Sequence, residues 1–169
     1  AALLAGAALG TLPDLDSIPI SLFTDDPIAL MTVHRSFSHS LFVLPLVGWL
    51  IWWLCKRRGK RVAESPVRWF WAIQLALITH PLLDAFTVYG TQLLWPLPTA
   101  PVMWSSVFII DLGYTLWLLL ACAVAWFARE KKLAQVALVA GLTLSSAYLG
   151  WSLLAKNMVD RQADQELAA

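Results

Sequence analysis

His80 and Asp84 stand four residues apart, so on a helix an imidazole and a carboxylate share one face and can reach the same cation. His34 and His39 stand five apart, with Ser36 and Ser38 between them as candidate helix caps. Asp14 and Asp16 flank Leu15 directly after Pro13, a compact loop that offers hard oxygen ligands. Imidazoles and carboxylates in this mixture suit zinc, manganese or iron better than calcium or magnesium. The set is large enough for one ion, or for two that share a bridging carboxylate, and such centres activate water for hydrolysis. Asp16, His34, His80 and Asp84 are the expected ligands, with Asp14 and His39 at a second position or orienting the first.

Two further residues carry charge where chemistry could use it. Arg35, beside His34, is placed to clamp an anionic phosphate through its guanidinium. It is equally placed to anchor a lipid headgroup or to pair with a loop aspartate. Asp111, at the start of a later apolar run, is a candidate catalytic carboxylate and equally a helix–helix hydrogen-bond partner. The histidines have a plainer reading as hydrogen-bonded helix packers, and an aspartate beside proline is often only a turn. Asp25 and Asp26, ahead of Pro27, are read as such a turn. Ionisable groups near hydrocarbon are expensive and tend to be functional, which favours ligands for His34, His39, His80 and Asp84.

The elements that must hold these residues are membrane helices. Only 14% of the 169 residues are charged and 59% are hydrophobic, whereas about a quarter of a soluble domain is charged. The charge-free stretches are too long for a core that a chain of this size could supply. Five apolar segments cover residues 1–12, 39–55, 67–86, 106–128 and 133–154. The last four approach the roughly 20 residues that a span requires, and the first is too short. The expected fold is therefore all-α: a polytopic transmembrane helix bundle of about four spanning helices plus a short or truncated N-terminal apolar helix. The chain begins at Ala1 rather than Met, so that first helix is expected to be incomplete. A single transmembrane helical domain is expected over residues 1–159, with a polar, frayed tail over 160–169. Gly6 and Gly10 give a weak small-residue spacing for helix packing.

Topology follows from the basic residues. Lys56, Arg57, Arg58, Lys60, Arg61 and Arg68 follow the second segment, and Arg129, Lys131 and Lys132 follow the fourth. The positive-inside rule makes that side cytoplasmic, together with the N-terminus. Every candidate ligand then falls at the opposite, periplasmic face, although three separate segments deliver them. Trp49, Trp52, Trp53, Trp69, Trp71 and Trp126 lie near span ends, as interfacial aromatics do. No basic stripe with interleaved aromatics marks a nucleic-acid surface, so nucleic acid is not an expected partner. Cys55 and Cys122 sit in or beside apolar runs and read as ordinary thiols buried in lipid or protein rather than a disulfide framework.

The sequence Leu12-Pro13-Asp14-Leu15-Asp16, then His34-Arg35-Ser36-Phe37-Ser38-His39-Ser40, then His80-Pro81-Leu82-Leu83-Asp84, resembles the LexA-regulated, membrane-bound metal-dependent hydrolase family (YdjM-like). Tyr89-Gly90 and Leu94-Trp95-Pro96 extend the resemblance, which covers the chain from Leu3 to Trp117. Ser17 stands where many members have histidine, and Ser36 where many have glycine. The resemblance implies a bacterial inner-membrane protein in which Asp14, Asp16, His34, His39, His80 and Asp84 are the polar motif positions. The expected activity is metal-dependent hydrolysis at the outer face, on a lipid or lipid-linked phosphate ester held by Arg35. The alternative is a non-catalytic membrane scaffold or partner-binding protein with a structural metal site. A transporter is less favoured, since no internal repeat or pair of broken helices is evident.

Overall fold

The computed structural model describes residues 2–26, 33–128 and 130–168. Ala1, Pro27, Arg129 and Ala169, which enter the sequence reading, lie outside the described residues. Helices dominate, and among the described residues the one extended pairing is an isolated antiparallel bridge between Thr91 and Val102. The chain divides into two units, residues 1–103 and 104–169.

In the first unit, α1 (Ala2–Thr11) runs into a three-ten turn, Leu12–Asp16, and then α2 (Ser17–Phe23). Pro13 sits at the start of the turn, where a missing N–H is not needed. A second three-ten turn, Phe37–His39, precedes α3 (Val43–Arg58), the short α4 (Lys60–Glu64) and α5 (Pro66–Asp84). Helix α3 is entered through Ser40, whose Oγ accepts from the N–H groups of Phe42 at 3.1 Å and Val43 at 3.4 Å. Ser36 and Ser38, the candidate caps, instead donate to the carbonyls of Val33 and His34. The helix starts a few residues later than the spacing predicts, because the three-ten turn intervenes.

Helices α3 and α5 pack as an antiparallel pair, with α1 along α5. Leu44, Ile73 and Leu77 are buried where the three meet, and Leu9, Leu12, Ile51 and Trp52 pack around them. Gly48 lets α3 approach closely: a Cβ there would lie 2.8 Å from Gln74 Oε1. Gln74 donates to the Pro45 carbonyl at 3.0 Å, which ties the pair together at mid-length. A Cβ on Gly6 or Gly10 would meet nothing within 4 Å, so that spacing marks no packed seam in this unit.

The antiparallel order decides where chemistry falls. Helix α3 climbs away from His39, and α5 returns to His80 and Asp84. At 1.5 Å per residue these helices are about 24 and 28 Å long. Lys56, Arg57 and Arg58 lie in the last turn of α3, favourably placed against its dipole. The imidazoles lie at the other end of the pair. Beyond Asp84 the chain folds back beneath the histidine loop: Gln92 N–H donates to the Arg35 carbonyl and Leu41 N–H to the Leu93 carbonyl, both at 2.9 Å. Gly90 permits this return, with φ of 76° in the region open to glycine.

The second unit is a hairpin of α6 (Leu112–Phe127) and α7 (Lys131–Leu167). A Cβ on Gly141 would collide with Ala121, and the carbonyl of Trp117 would lie 2.8 Å from it. Ser145 donates to the Tyr114 carbonyl at 2.9 Å from a fully buried position. Small residues thus bring the two backbones together, as helices in lipid require. Among the described residues α7 is the one helix both long and apolar enough to cross a membrane. Its large side chains Val136, Val139, Leu142 and Trp151 are more than half exposed, an apolar face of the kind that marks contact with a membrane or another protein. The helix does not end where the apolar run ends. Residues read as a frayed tail continue it through Leu167, because they include no glycine or proline, and Lys156 pairs with Asp160 one turn on. Cys55 and Cys122 are free and exposed rather than buried among protein side chains.

Candidate metal centre

Three stretches meet at the end of the first unit opposite its basic end. The Leu12–Asp16 turn supplies Asp14 and Asp16, the histidine loop supplies His34 and His39, and the last turns of α5 supply His80 and Asp84. Asp14 is the hub. Its Oδ1 lies 3.4 Å from His34 Nε2, 3.6 Å from His39 Nε2 and 3.2 Å from His80 Nε2. Asp84 Oδ2 lies 3.2 Å from His39 Nε2 and 3.7 Å from His80 Nε2. The donor atoms form two overlapping groups, Asp14–His34–His39 and His39–His80–Asp84, each within 4.8 Å, with His39 common to both.

The supply of protons determines what such a cluster wants. A carboxylate accepts hydrogen bonds only, and a neutral imidazole has one N–H to give. His34 spends its N–H on Asp16, with Nδ1 and Oδ1 2.5 Å apart, so its Nε2 turns a lone pair toward Asp14. His39 is fully buried, and its Nε2 has no hydrogen-bond partner although a carboxylate oxygen lies 3.2 Å away. His80 Nε2 and Asp14 Oδ1 form a hydrogen bond at 3.2 Å, whereas a lone pair that faces a carboxylate oxygen is repelled unless a cation lies between them. The cluster contains three carboxylates, Asp14, Asp16 and Asp84, and one guanidinium, that of Arg35, which pairs with Asp84. With neutral imidazoles two negative charges remain, matching one divalent ion. The donor atoms of each group lie within 4.8 Å of one another. The two groups are compatible with a divalent metal ion.

The two aspartates stand on different sides of the imidazoles. Asp14, expected to be secondary, lies among the three Nε2 atoms, and Asp16, expected as a ligand, lies behind His34. A carboxylate on the remote ring nitrogen can fix the tautomer of a liganding histidine, and Asp16 stands in that position toward His34. The spacing of the two aspartates in sequence could not show this, because two residues of three-ten turn point the side chains in different directions. His39 is the residue both groups share.

Arg35 closes one side. One terminal nitrogen lies 3.8 Å from Asp84 Oδ2, the other donates to Thr87 Oγ1 at 3.3 Å, and the guanidinium lies 5.2 Å from the centre of the Tyr89 ring. Its ion-pair partner is Asp84 of α5, not a loop aspartate. Thr87 was not singled out in the sequence; its hydroxyl also donates to the Asp84 carbonyl at 2.7 Å. A hydroxyl three residues past a helix-terminal carboxylate was the available signal. The exposures of the cluster are graded: the Asp14 side chain is 48% exposed and that of His39 0%, so the group opens to solvent on the Asp14 side.

Asp111 belongs to the second unit. It caps α6, accepting from Tyr114 N–H at 3.1 Å, and its other oxygen accepts from the Tyr148 hydroxyl at 3.1 Å. Of the two readings of Asp111, these contacts are those of a helix–helix partner. Asp25 and Asp26 are exposed beyond the end of α2, and Asp26 N–H donates to Thr24 Oγ1.

The family model of the YdjM inner membrane protein matches residues 1–159, which includes every member of the cluster. No curated protein and no solved structure matches the chain. On a match of that extent, the chain belongs to the YdjM inner membrane protein family.

Proposed function

We propose that this protein is a multi-pass inner-membrane hydrolase dependent on a divalent transition metal, acting at the periplasmic face on a lipid or lipid-linked phosphate ester. The observation that carries the reading is the buried, unpartnered Nε2 of His39, turned toward carboxylates from two other stretches. Asp14, His34, His39, His80 and Asp84 would hold the ion, which could be zinc, manganese or iron. When bound, such an ion lowers the pKa of water and polarises an acyl or phosphoryl oxygen.

The chain's own residues have separable tasks. Asp16 holds the His34 ring. Asp84 both faces the imidazoles and anchors Arg35, while Thr87 and Tyr89 keep the guanidinium at the rim. Arg35 binds the anionic group of the substrate and holds it against the cluster, where orientation is worth several kilocalories per mole. The exposed side of Asp14 is the entry. A structural metal site would be closed on all sides, and the exposure of Asp14 favours the open, catalytic alternative.

The bundle follows from the same reading. Helices α3, α5, α6 and α7 are the spans, with the basic ends of α3 and α5 cytoplasmic. Arg57 stacks 3.8 Å from the Trp53 ring centre and Lys56 4.9 Å from that of Trp52, a grouping suited to the headgroup region. At 37 residues, α7 is about 55 Å long and outruns the bilayer, so its polar end stands clear of the membrane outside.

Elemental analysis of protein purified without added chelator tests the centre, and phosphate release from lipid phosphate esters in mixed micelles tests the activity. One transition metal ion or more per chain is expected. Asp84→Ala should lower both metal content and release at least about 100-fold, beyond the loss typical of groups that merely orient a ligand. Metal-free wild-type protein, or unchanged release in a folded Asp84→Ala variant, overturns the proposal.

A further inference from the structure

Of the two central histidines, His34 has its tautomer set by a carboxylate. The corresponding device at His39 is a hydroxyl, and it lies within the same loop. Ser38 Oγ is 2.6 Å from the His34 carbonyl and 2.9 Å from His39 Nδ1. A serine hydroxyl has one proton. The carbonyl can only accept, so that proton is committed to it, and the oxygen has only lone pairs left for the ring. The contact to the ring is satisfied only if His39 Nδ1 carries the hydrogen. Nε2 is then bare. Ser38 and His39 are both buried, at 8% and 0% exposure, so water does not compete for either contact.

We infer that Ser38 is a positioning residue, which locks buried His39 in the Nδ1–H tautomer and thereby presents its Nε2 lone pair to the Asp14–Asp84 cluster. The consequence rests on the proposed metal reading, but the tautomer itself does not. The lock also joins the two histidines. The same hydroxyl that orients His39 restrains the backbone carbonyl of His34, four residues earlier, so that the loop presents both rings as one unit. Asp16 completes the arrangement at His34. The pair of rings, with centroids 5.1 Å apart and planes at 79°, is held from behind by two different acceptors.

Nitrogen NMR of protein labelled in its three histidines, metal-free and in detergent micelles, reads the tautomer directly. The His39 ring should show a protonated Nδ1 and an unprotonated Nε2. Ser38→Ala, which removes the acceptor with little change in volume, should move His39 to a mixture of tautomers. It should also weaken zinc binding about 10- to 100-fold, the usual effect of losing a group that orients a ligand. Ser38→Thr, which keeps the hydroxyl, should restore both, and helical circular dichroism checks that each variant is folded. A protonated Nε2 in the wild type overturns the inference, as does a Ser38→Ala variant that keeps both tautomer and affinity. If the tautomer behaves as described but wild-type protein binds no zinc, the metal reading fails and the role of Ser38 in setting the ring stands.

Discussion

Asp84 and Asp111 each sit at a helix terminus, one closing α5 and the other opening α6. Both are half-sheltered carboxylates in a chain poor in charge, and both face groups from another element. Asp111 meets donors: a backbone N–H of its own helix and the hydroxyl of Tyr148. Each of its oxygens has a proton pointed at it. Asp84 meets two imidazole nitrogens and a guanidinium 3.8 Å away, and the nearest nitrogen, His39 Nε2, makes no hydrogen bond at all. The same residue type thus meets hydrogen-bond donors in the second unit and imidazole rings with a guanidinium in the first. In a low-dielectric setting a buried polar group without a partner costs about 1–3 kcal/mol. The cluster holds two such atoms, Asp16 Oδ2 and His39 Nε2, which supports the proposed cation.

The change that breaks this contrast most severely is His39→Ala. His39 is the one donor common to both groups, so its loss should reduce zinc affinity well over 100-fold, more than the removal of any group that only orients a ligand. Isothermal titration of the purified variant against wild type measures this. Stability provides a second reading of the same contrast. An ion that binds the folded form alone, present at 100 times its Kd, stabilises by about 2.7 kcal/mol. Hydrogen exchange should show that protection in α3 and α5 of the wild type and none in His39→Ala, with α6 and α7 unchanged in both. Equal zinc protection in the variant would mean that the cluster does not hold the ion.

Much of this contrast is legible in the residues and their order. The helical class, the i, i+4 pair of His80 and Asp84, and the convergence of three stretches follow from hydrophobic runs and spacing, because periodicity and chain reversal are properties of the sequence itself. Roles within the cluster are not legible there. Asp14 and Asp16 differ only in which way a three-ten turn points them, and that is set by the packing of Pro13 and Leu12 rather than by the two residues. The capping function of Ser40, in place of Ser36 or Ser38, depends on a loop whose hydrogen bonds run to residues near Trp95 in sequence, contacts of long range that no local pattern reports. The helical continuation past Asp160 agrees with propensity but runs against polarity, which indicates exposure rather than disorder.

A smaller and more discriminating test uses one substitution at both aspartates. Asparagine keeps the size and one acceptor oxygen of aspartate and is among the best N-caps, but it lacks the negative charge that binds a cation. At Asp111 the oxygen that serves Tyr114 N–H survives, and only the contact with Tyr148 must adjust, so Asp111→Asn should shift the thermal midpoint by no more than the equivalent of about 0.5 kcal/mol. Asp111→Ala, which removes cap and partner together, should cost about 1–2 kcal/mol. Neither should alter metal content. At Asp84 the order reverses: Asp84→Asn should lose metal nearly as completely as Asp84→Ala, because two imidazole nitrogens and the Arg35 guanidinium face a charge rather than a hydrogen-bond acceptor. If asparagine were tolerated at Asp84 as it is at Asp111, the carboxylate there would be a packing group like its counterpart, and the distinction between the two helix termini would disappear.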